Sequence, residues 1–514
     1  MRVRLGFILA CLLACACVSQ RPAPSKSTPP AAPAAAATRS ASQQLKQAQA
    51  FAAAAKWADV DTALHGVIDT DQFERLSLTE QHLALLLAAN AAAVRGEPRR
   101  ALPLIQRACA MADADSRDWL IRVSAANAVG NPTDAAFALT TLAERWPEQL
   151  AQQQALAEAE GNDPIQGTLF ALGAGGSDSD RYTLLSALRR VHFAPEPVNA
   201  SWWWRSLALL QLARGELASA VQTLDRVSDP HIAISIWADK RFDVVRPEFG
   251  EQLQIAAVAR RSMQDAVLRV QENPKLLKRM NHLVFLLVDS LQFQQALQVT
   301  DTAIERQDTQ GRSAWSDYDR QYPWTLEARA RALYGLGRWE ASLTQLETAS
   351  RVDSGVDKIT HVINLAGAYN EAGRPREALE TLDLAPLQQA SPMGVMQFRL
   401  EQLWADLQLH DQPGADRALT FLREHQLDGP ASYQEALLFA NRPEEGAALL
   451  IRRLADLRLR SAALEAVQDY TEGALSPVML EQRRRWRALI DRTDVHEAIL
   501  RVGRVDRYAL IGRR

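Results

Sequence analysis

Nine histidines and 61 carboxylates give this 514-residue chain ample material for acid–base or metal chemistry. Spacing decides whether any of it is organised. Zinc-dependent hydrolysis needs two imidazoles at i, i+4 on one helix face with a carboxylate beside them, and the sequence has no His-Glu-x-x-His and no paired cysteines at ligand spacing. His496-Glu497 is an adjacent pair, but on a helix the two side chains point apart. No Gly-x-Ser-x-Gly turn offers an activated serine. The stretch Gly173-Ala174-Gly175-Gly176-Ser177-Asp178 could cradle phosphate if a strand led into it and a lysine followed; neither holds, and it reads as a flexible linking loop. The expectation from the sequence is therefore a non-enzymatic protein with no catalytic residue, metal or cofactor.

Charge and aromatics allow binding chemistry instead. Arg483-Arg484-Arg485-Trp486-Arg487 is a basic run with an aromatic, a combination able to hold nucleic acid. A solvated helix face with Trp486 turned inward is the simpler reading, followed by an anionic polymer or lipid head group. Residues 452–514 hold fourteen Arg against nine Asp and Glu, or +5, which leaves −8 for the rest of a chain whose net charge is −3. So small a net charge exerts no global pull towards nucleic acid or membrane.

The elements that must position any such group come from a repeat. Val362, Leu365, Ala366, Tyr369, Gly373, Ala378, Leu382 and Ala385 share a register with Leu326, Ala330, Leu333, Gly337, Ser342, Leu346 and Ala349, and Gly337 and Gly373 stand 36 residues apart. Leu365, Ala366 and Tyr369 share one helix face, and Ala378, Leu382 and Ala385 share another. Small residues at Ala366 and Ala378 let the two backbones approach, while Gly373-Arg374-Pro375 breaks the helix between them. The same pattern recurs around Gly96 and Gly130, 34 residues apart, and around Gly215. Met280 to Ala303 makes a copy without its glycine, and Met396–Leu422 and Tyr433–Leu454 make weaker ones. One hairpin cannot bury its own apolar face, so each must stack on the next.

This register resembles the tetratricopeptide repeat (TPR), whose period is about 34 residues. The resemblance implies an all-α fold, an α-solenoid of about eight to ten TPR-like hairpins wound as a right-handed superhelix. It also implies that first helices line a concave surface able to capture a peptide or helix of a partner. By that geometry Trp202, Arg205, Trp324, Arg331, Tyr334 and Asn370 face the groove, with Trp204 in the core.

The N-terminus reads as an export signal: Met1-Arg2-Val3-Arg4, then the apolar run Leu5 to Ala14, too short to span a bilayer. Leu12-Leu13-Ala14-Cys15 resembles the bacterial lipoprotein box, which makes Cys15 the expected lipidation site and Cys17 the alternative. The next residues are not Asp, which in such lipoproteins suggests the outer membrane, facing the periplasm. Cys109 stands alone in a helical stretch and reads as a small buried residue.

The expected organisation is therefore a signal peptide over 1–14, a disordered Pro/Ala-rich tether over 15–40 and a repeat block over 41–160. An irregular connection over 161–200, a repeat superhelix over 201–456 and capping helices with a basic tail over 457–514 follow. The expected function is an envelope-anchored scaffold or adaptor that binds envelope proteins or peptide segments and not nucleic acid. The alternatives are a peptidoglycan-binding or peptidoglycan-modifying protein, because helical superhelices precede lytic transglycosylase domains, and an exopolysaccharide export component. Oligomeric state, partner and pathway are open.

Overall fold

The computed structural model describes residues 40–159, 163–193, 197–352 and 357–512. Cys15, Cys17 and almost all of the tether lie outside them. Two compact units divide at Pro195/Glu196; among the described residues both are helical, and unit 2 adds one short two-stranded pair and one isolated bridge, Asp239 to Gly503.

Unit 1 contains α1 (Ala41–Ala53), α2 (Trp57–His65), α3 (Asp71–Glu74), α4 (Leu78–Val94), α5 (Pro98–Cys109), α6 (Ser116–Val129), α7 (Pro132–Arg145), α8 (Pro147–Ala159), α9 (Pro164–Gly175) and α10 (Asp178–Arg190). Unit 2 begins with α11 (Pro197–Ala213), α12 (Leu217–Leu224), α13 (Pro230–Ala238), α14 (Ile255–Glu272), α15 (Leu277–Asp289) and α16 (Phe293–Gln310). It continues through α17 (Tyr318–Gly335), α18 (Trp339–Val352), α19 (Lys358–Glu371), α20 (Pro375–Leu382), α21 (Pro392–Gln408), α22 (Gln412–Glu424), α23 (Pro430–Phe439) and α24 (Pro443–Ala455). It ends with α25 (Arg460–Ala466), β1 (Asp469–Tyr470), α26 (Pro477–Ile490), α27 (Thr493–Val502) and β2 (Arg507–Tyr508).

One local device builds the hairpins. A single residue in the left-handed region separates first helix from second, at Ala55, Gly96, Gly130, Gly176, Gly215, Leu291, Gly337, Gly373, His410 and Asn441. Glycine adopts that conformation freely, and a side chain there costs roughly 1–2 kcal/mol. The glycine-less copy over 280–303 keeps the turn through Leu291, so stacking overrides local preference. Proline at the first helical position starts α5, α7, α20 and α24, where its missing N–H is no loss. The small contact residues Ala366 and Ala378 are fully buried, and Cys109 is buried as expected.

Residues 164–190 correct the expectation of an irregular connection. They form a further hairpin, α9/α10, in which Asp163 caps the helix by accepting from the Gln166 N–H, and Ile165, Leu169 and Leu172 are buried. The glycine-rich stretch is the end of α9 plus the left-handed Gly176, not a flexible loop. Gly173 and Gly175 in the last turn, with Gly176 after them, hid the helix because each helical glycine lowers local propensity by about 1 kcal/mol.

The C-terminal region also departs from expectation. The expected capping helices are α25, α26 and α27, the last two separated at Asp491-Arg492, but in place of a free basic tail the chain returns to the start of unit 2. Helix α25 packs on α13, while Ala238 at the end of α13 joins a core with Leu464, Val495 and Ile499. Arg504 donates from its backbone to the Ala238 carbonyl and from its guanidinium to Asp243; Lys240 caps the Leu500 carbonyl. Strands β1 and β2 pair in parallel, and Ile511 N–H donates to the Asp289 carbonyl at 2.9 Å. Unit 2 is thus a stack whose last elements close on its first.

Gly503 sits at that closure. A Cβ there would stand 2.7 Å from the Ala238 carbonyl oxygen and closer still to a Leu464 methyl. Because the obstacle includes backbone, Gly503→Val is expected to lower unit 2 stability by about 2–3 kcal/mol and to expose residues 457–512 to protease. An unchanged denaturation midpoint would contradict the closure.

Candidate functional site

The six residues expected to line a groove all belong to unit 2, but they do not form one surface. Trp324 and Arg331 lie together on α17. The Trp324 indole N–H donates to Asp357 at 3.3 Å, and its ring meets the His361 ring edge-on at 4.5 Å. Arg331, exposed, stacks over Phe285 of α15 at 5.2 Å and donates to Glu327 at 2.9 Å. Tyr334 is half-buried one turn further along.

Asn370 corrects the groove assignment. It is fully buried, and its amide donates to the backbone carbonyl and the carboxylate of Glu401 on α21, both at 3.0 Å. Its carboxamide is committed to the next hairpin because a polar group on a first helix finds a partner one repeat away. Arg205 is half-buried and engaged: its guanidinium donates to Ser235 of α13 at 2.7 Å, and desolvation lowers its pKa. Trp202 is half-buried and meets Trp203 edge-on at 6.2 Å. Trp203 is the fully buried member of the triplet, with Trp204 at 3% exposure beside it. The triplet is therefore mostly core.

What the first helices build is a buried polar ladder. Glu327 and His361, each 1% exposed, join α17 to α19, with His361 Nδ1–H donating to Glu327 Oε2 at 2.9 Å. Asn364 donates to the other carboxylate oxygen at 2.8 Å, beside Arg331. Between α15 and α17, Thr325 Oγ donates to Asn281 at 2.8 Å, and Asn281 donates to the Gln321 carbonyl at 3.0 Å. Unit 1 repeats the device: His82 of α4 contacts the buried Asp118 of α6 at 2.8 Å. Glu327 and His361 are 34 residues apart, His82 and Asp118 36 apart. One repeat length was the available signal, and a search for local His–carboxylate clusters misses it.

The two carboxylates are tuned in opposite directions. Burial raises Asp118 above its usual value despite hydrogen bonds from the Asp115 backbone and His82. Burial also acts to raise Glu327, but the hydrogen bond from His361, the Arg331 charge and Asn364 outweigh it and hold the carboxyl below its usual value. Each ladder group is thus a fixed partner of a neighbouring helix, and such an arrangement sets the register between hairpins.

The basic run is spent internally. Arg483 and Arg487 both bind Glu472, Arg484 and Arg485 bind Glu481, and Arg485 also caps the Leu438 and Phe439 carbonyls. Trp486 packs against the closing core. The inward tryptophan of the simplest sequence reading is observed.

No family model and no curated protein matches the sequence. Solved structures do. A Rap protein complexed with competence and sporulation factor shows 12% identity and a TM-score of 0.30 over 80% of this chain and 99% of that one. The Cut9–Hcn1 hetero-tetramer of APC/C shows 11% and 0.29 over 90% and 89%, and yeast Tom70 14% and 0.24 over 82% and 98%. At such scores the likeness carries no argument about site or partner. The hairpins themselves define the class: this chain is an all-α helical-repeat protein built of TPR-like hairpins.

Proposed function

We propose that the protein is a scaffold or adaptor of the bacterial cell envelope, lipid-anchored at Cys15, that binds partner proteins through its hairpin surfaces. The observation that carries the scaffold reading is the stacking of hairpins within each unit, four turning at left-handed residues in unit 1 and six in unit 2, whose exposed area grows with repeat number while buried ladders hold neighbouring hairpins in register. The anchoring part rests on the N-terminal sequence alone: a charged start, a short apolar run and a small residue before cysteine. With Arg483–Arg487 committed to carboxylates and carbonyls, binding of a polyanion is the less favoured reading.

Crosslinking of the full-length protein in living cells tests the scaffold. Recovery of a defined set of envelope proteins supports it, whereas glycan fragments or nothing would overturn it and direct attention to peptidoglycan cleavage assays. For the anchor, Cys15→Ala is expected to move the protein from the membrane fraction to the soluble periplasmic fraction. Retention with acylation intact would reassign the lipid to Cys17.

A further inference from the structure

His231 of α13 is fully buried at the closure of unit 2, and each of its two ring nitrogens meets a carboxylate from a different element. Nε2 stands 3.7 Å from Asp289 at the end of α15, and Nδ1 stands 3.7 Å from Glu465 on α25. Both partners belong to the seam. Glu465 rides on the helix that returns to α13, and its backbone carbonyl accepts the Tyr470 hydroxyl of β1 at 3.0 Å. The Asp289 carbonyl receives the Ile511 N–H from the end of the described chain. The imidazole thus lies between the start of the unit and the two places where the C-terminal region comes back to it.

The groups around the ring decide which charge state this arrangement favours. From α11, Arg205 donates to Ser235, one turn along α13, and lies in the field of Glu465 and Asp229. At the N-cap of α13, Asp229 accepts from the His231 backbone N–H at 2.8 Å. Past the end of the helix, the buried Asp239 is matched by Arg241 at 2.5 Å. Strand β1 supplies Tyr470, whose ring lies 5.8 Å from the imidazole, with Tyr508 of β2 behind it. Helix α14 adds Ile255 to the same core, and its Ser262 donates to the Ser228 carbonyl. With Asp239 matched, the carboxylates of Asp229, Asp289 and Glu465 face the guanidinium of Arg205. A proton on His231 reduces that excess of negative charge. Burial alone disfavours a charged ring, but an opposite charge within about 4–6 Å favours it, and here there is one at each nitrogen.

We propose that His231 is a pH-sensitive latch: on gaining a proton it donates from both nitrogens, ties Asp289 to Glu465, and holds the returning C-terminal region against the start of unit 2. A neutral imidazole carries a proton on one nitrogen only and can serve one carboxylate at a time. The latch is fully set below about pH 6.5, the ordinary imidazole value, and is released as the pH rises through the point at which the enclosed ring gives up its proton. Acid therefore tightens the closure and mild alkali loosens it.

Hydrogen exchange of the full-length protein, followed by mass spectrometry at about pH 5.5 and about pH 8.5 and corrected for the intrinsic pH dependence of exchange, reads the latch. Amide protection in peptides covering residues 460–470 and 504–512 should be at least about tenfold greater at the acid pH, the fold-change that one pH unit of proton linkage supplies. His231→Gln keeps a polar side chain of similar reach but takes up no proton, so its protection should show no acid gain. A parent equally protected at both pH values, or a His231→Gln variant with the full gain of the parent, would overturn the latch. Should His231→Gln fail to fold, the double variant Asp289→Asn/Glu465→Gln decides with the histidine in place: loss of the acid gain supports the latch, and retention overturns it.

Discussion

Ala378→Arg should unfold the central hairpins of unit 2. Ala378 is fully buried and belongs to one core with Leu365, Ala366, Tyr369, Leu382 and Phe398, the place where α20 meets its neighbours. Arginine adds six heavy atoms beyond Cβ where an alanine methyl already fills the space, and it buries a guanidinium in an apolar core. A loss of about 4 kcal/mol or more is expected, at the extreme of single substitutions. Glu380→Arg, two residues on and exposed, should change stability by no more than about 0.5 kcal/mol. Urea titration of both variants reads the contrast, and equal midpoints would refute the register of the repeat.

Glu327→Ala should cost about 3–5 kcal/mol, because removing one member of a buried pair strands the others: His361, Asn364 and Arg331 all address its carboxylate. Glu327→Gln isolates the charge and gives a pH signature. The folded carboxyl lies below its ordinary value of 4.5, so its ionisation stabilises the fold above pH 4.5, and that contribution is lost as pH falls through the lower folded value. The stability gap between parent and Glu327→Gln should therefore be widest above pH 4.5 and shrink below it. Asp118 in unit 1 carries the opposite sign: its raised pKa means that protonation favours the fold as pH falls through the folded value, so Asp118→Asn should be the milder change. A gap that stayed constant across acid pH would show that Glu327 acts through shape and not through charge.

Most of the hairpins were legible because they use two signals that a sequence displays openly. Glycine at the left-handed turn marks Gly96, Gly130, Gly215, Gly337 and Gly373, and small residues mark close contacts such as Ala366 and Ala378. Where a hairpin keeps the turn without glycine, as at Leu291 and His410, or packs glycines inside a helix, as in α9, the local signal fades, and only stacking enforces the structure. The candidate site was less legible. Placing Asn370 and Arg205 on an open groove assumed that a polar residue on a first helix faces solvent; in fact each is held by the neighbouring element, Glu401 and Ser235 respectively.

The sequence by itself determined the fold class and the hairpin register, since helix periodicity and turn residues are local properties of the chain. The tertiary structure alone decided which polar groups pair across repeats and that α25 and the β1–β2 pair return to α13 and α15. Those features depend on residues a repeat length or more than 200 positions apart. Periodicity within one helix carries no information about which distant element will meet it; only the packing of the whole unit fixes that choice.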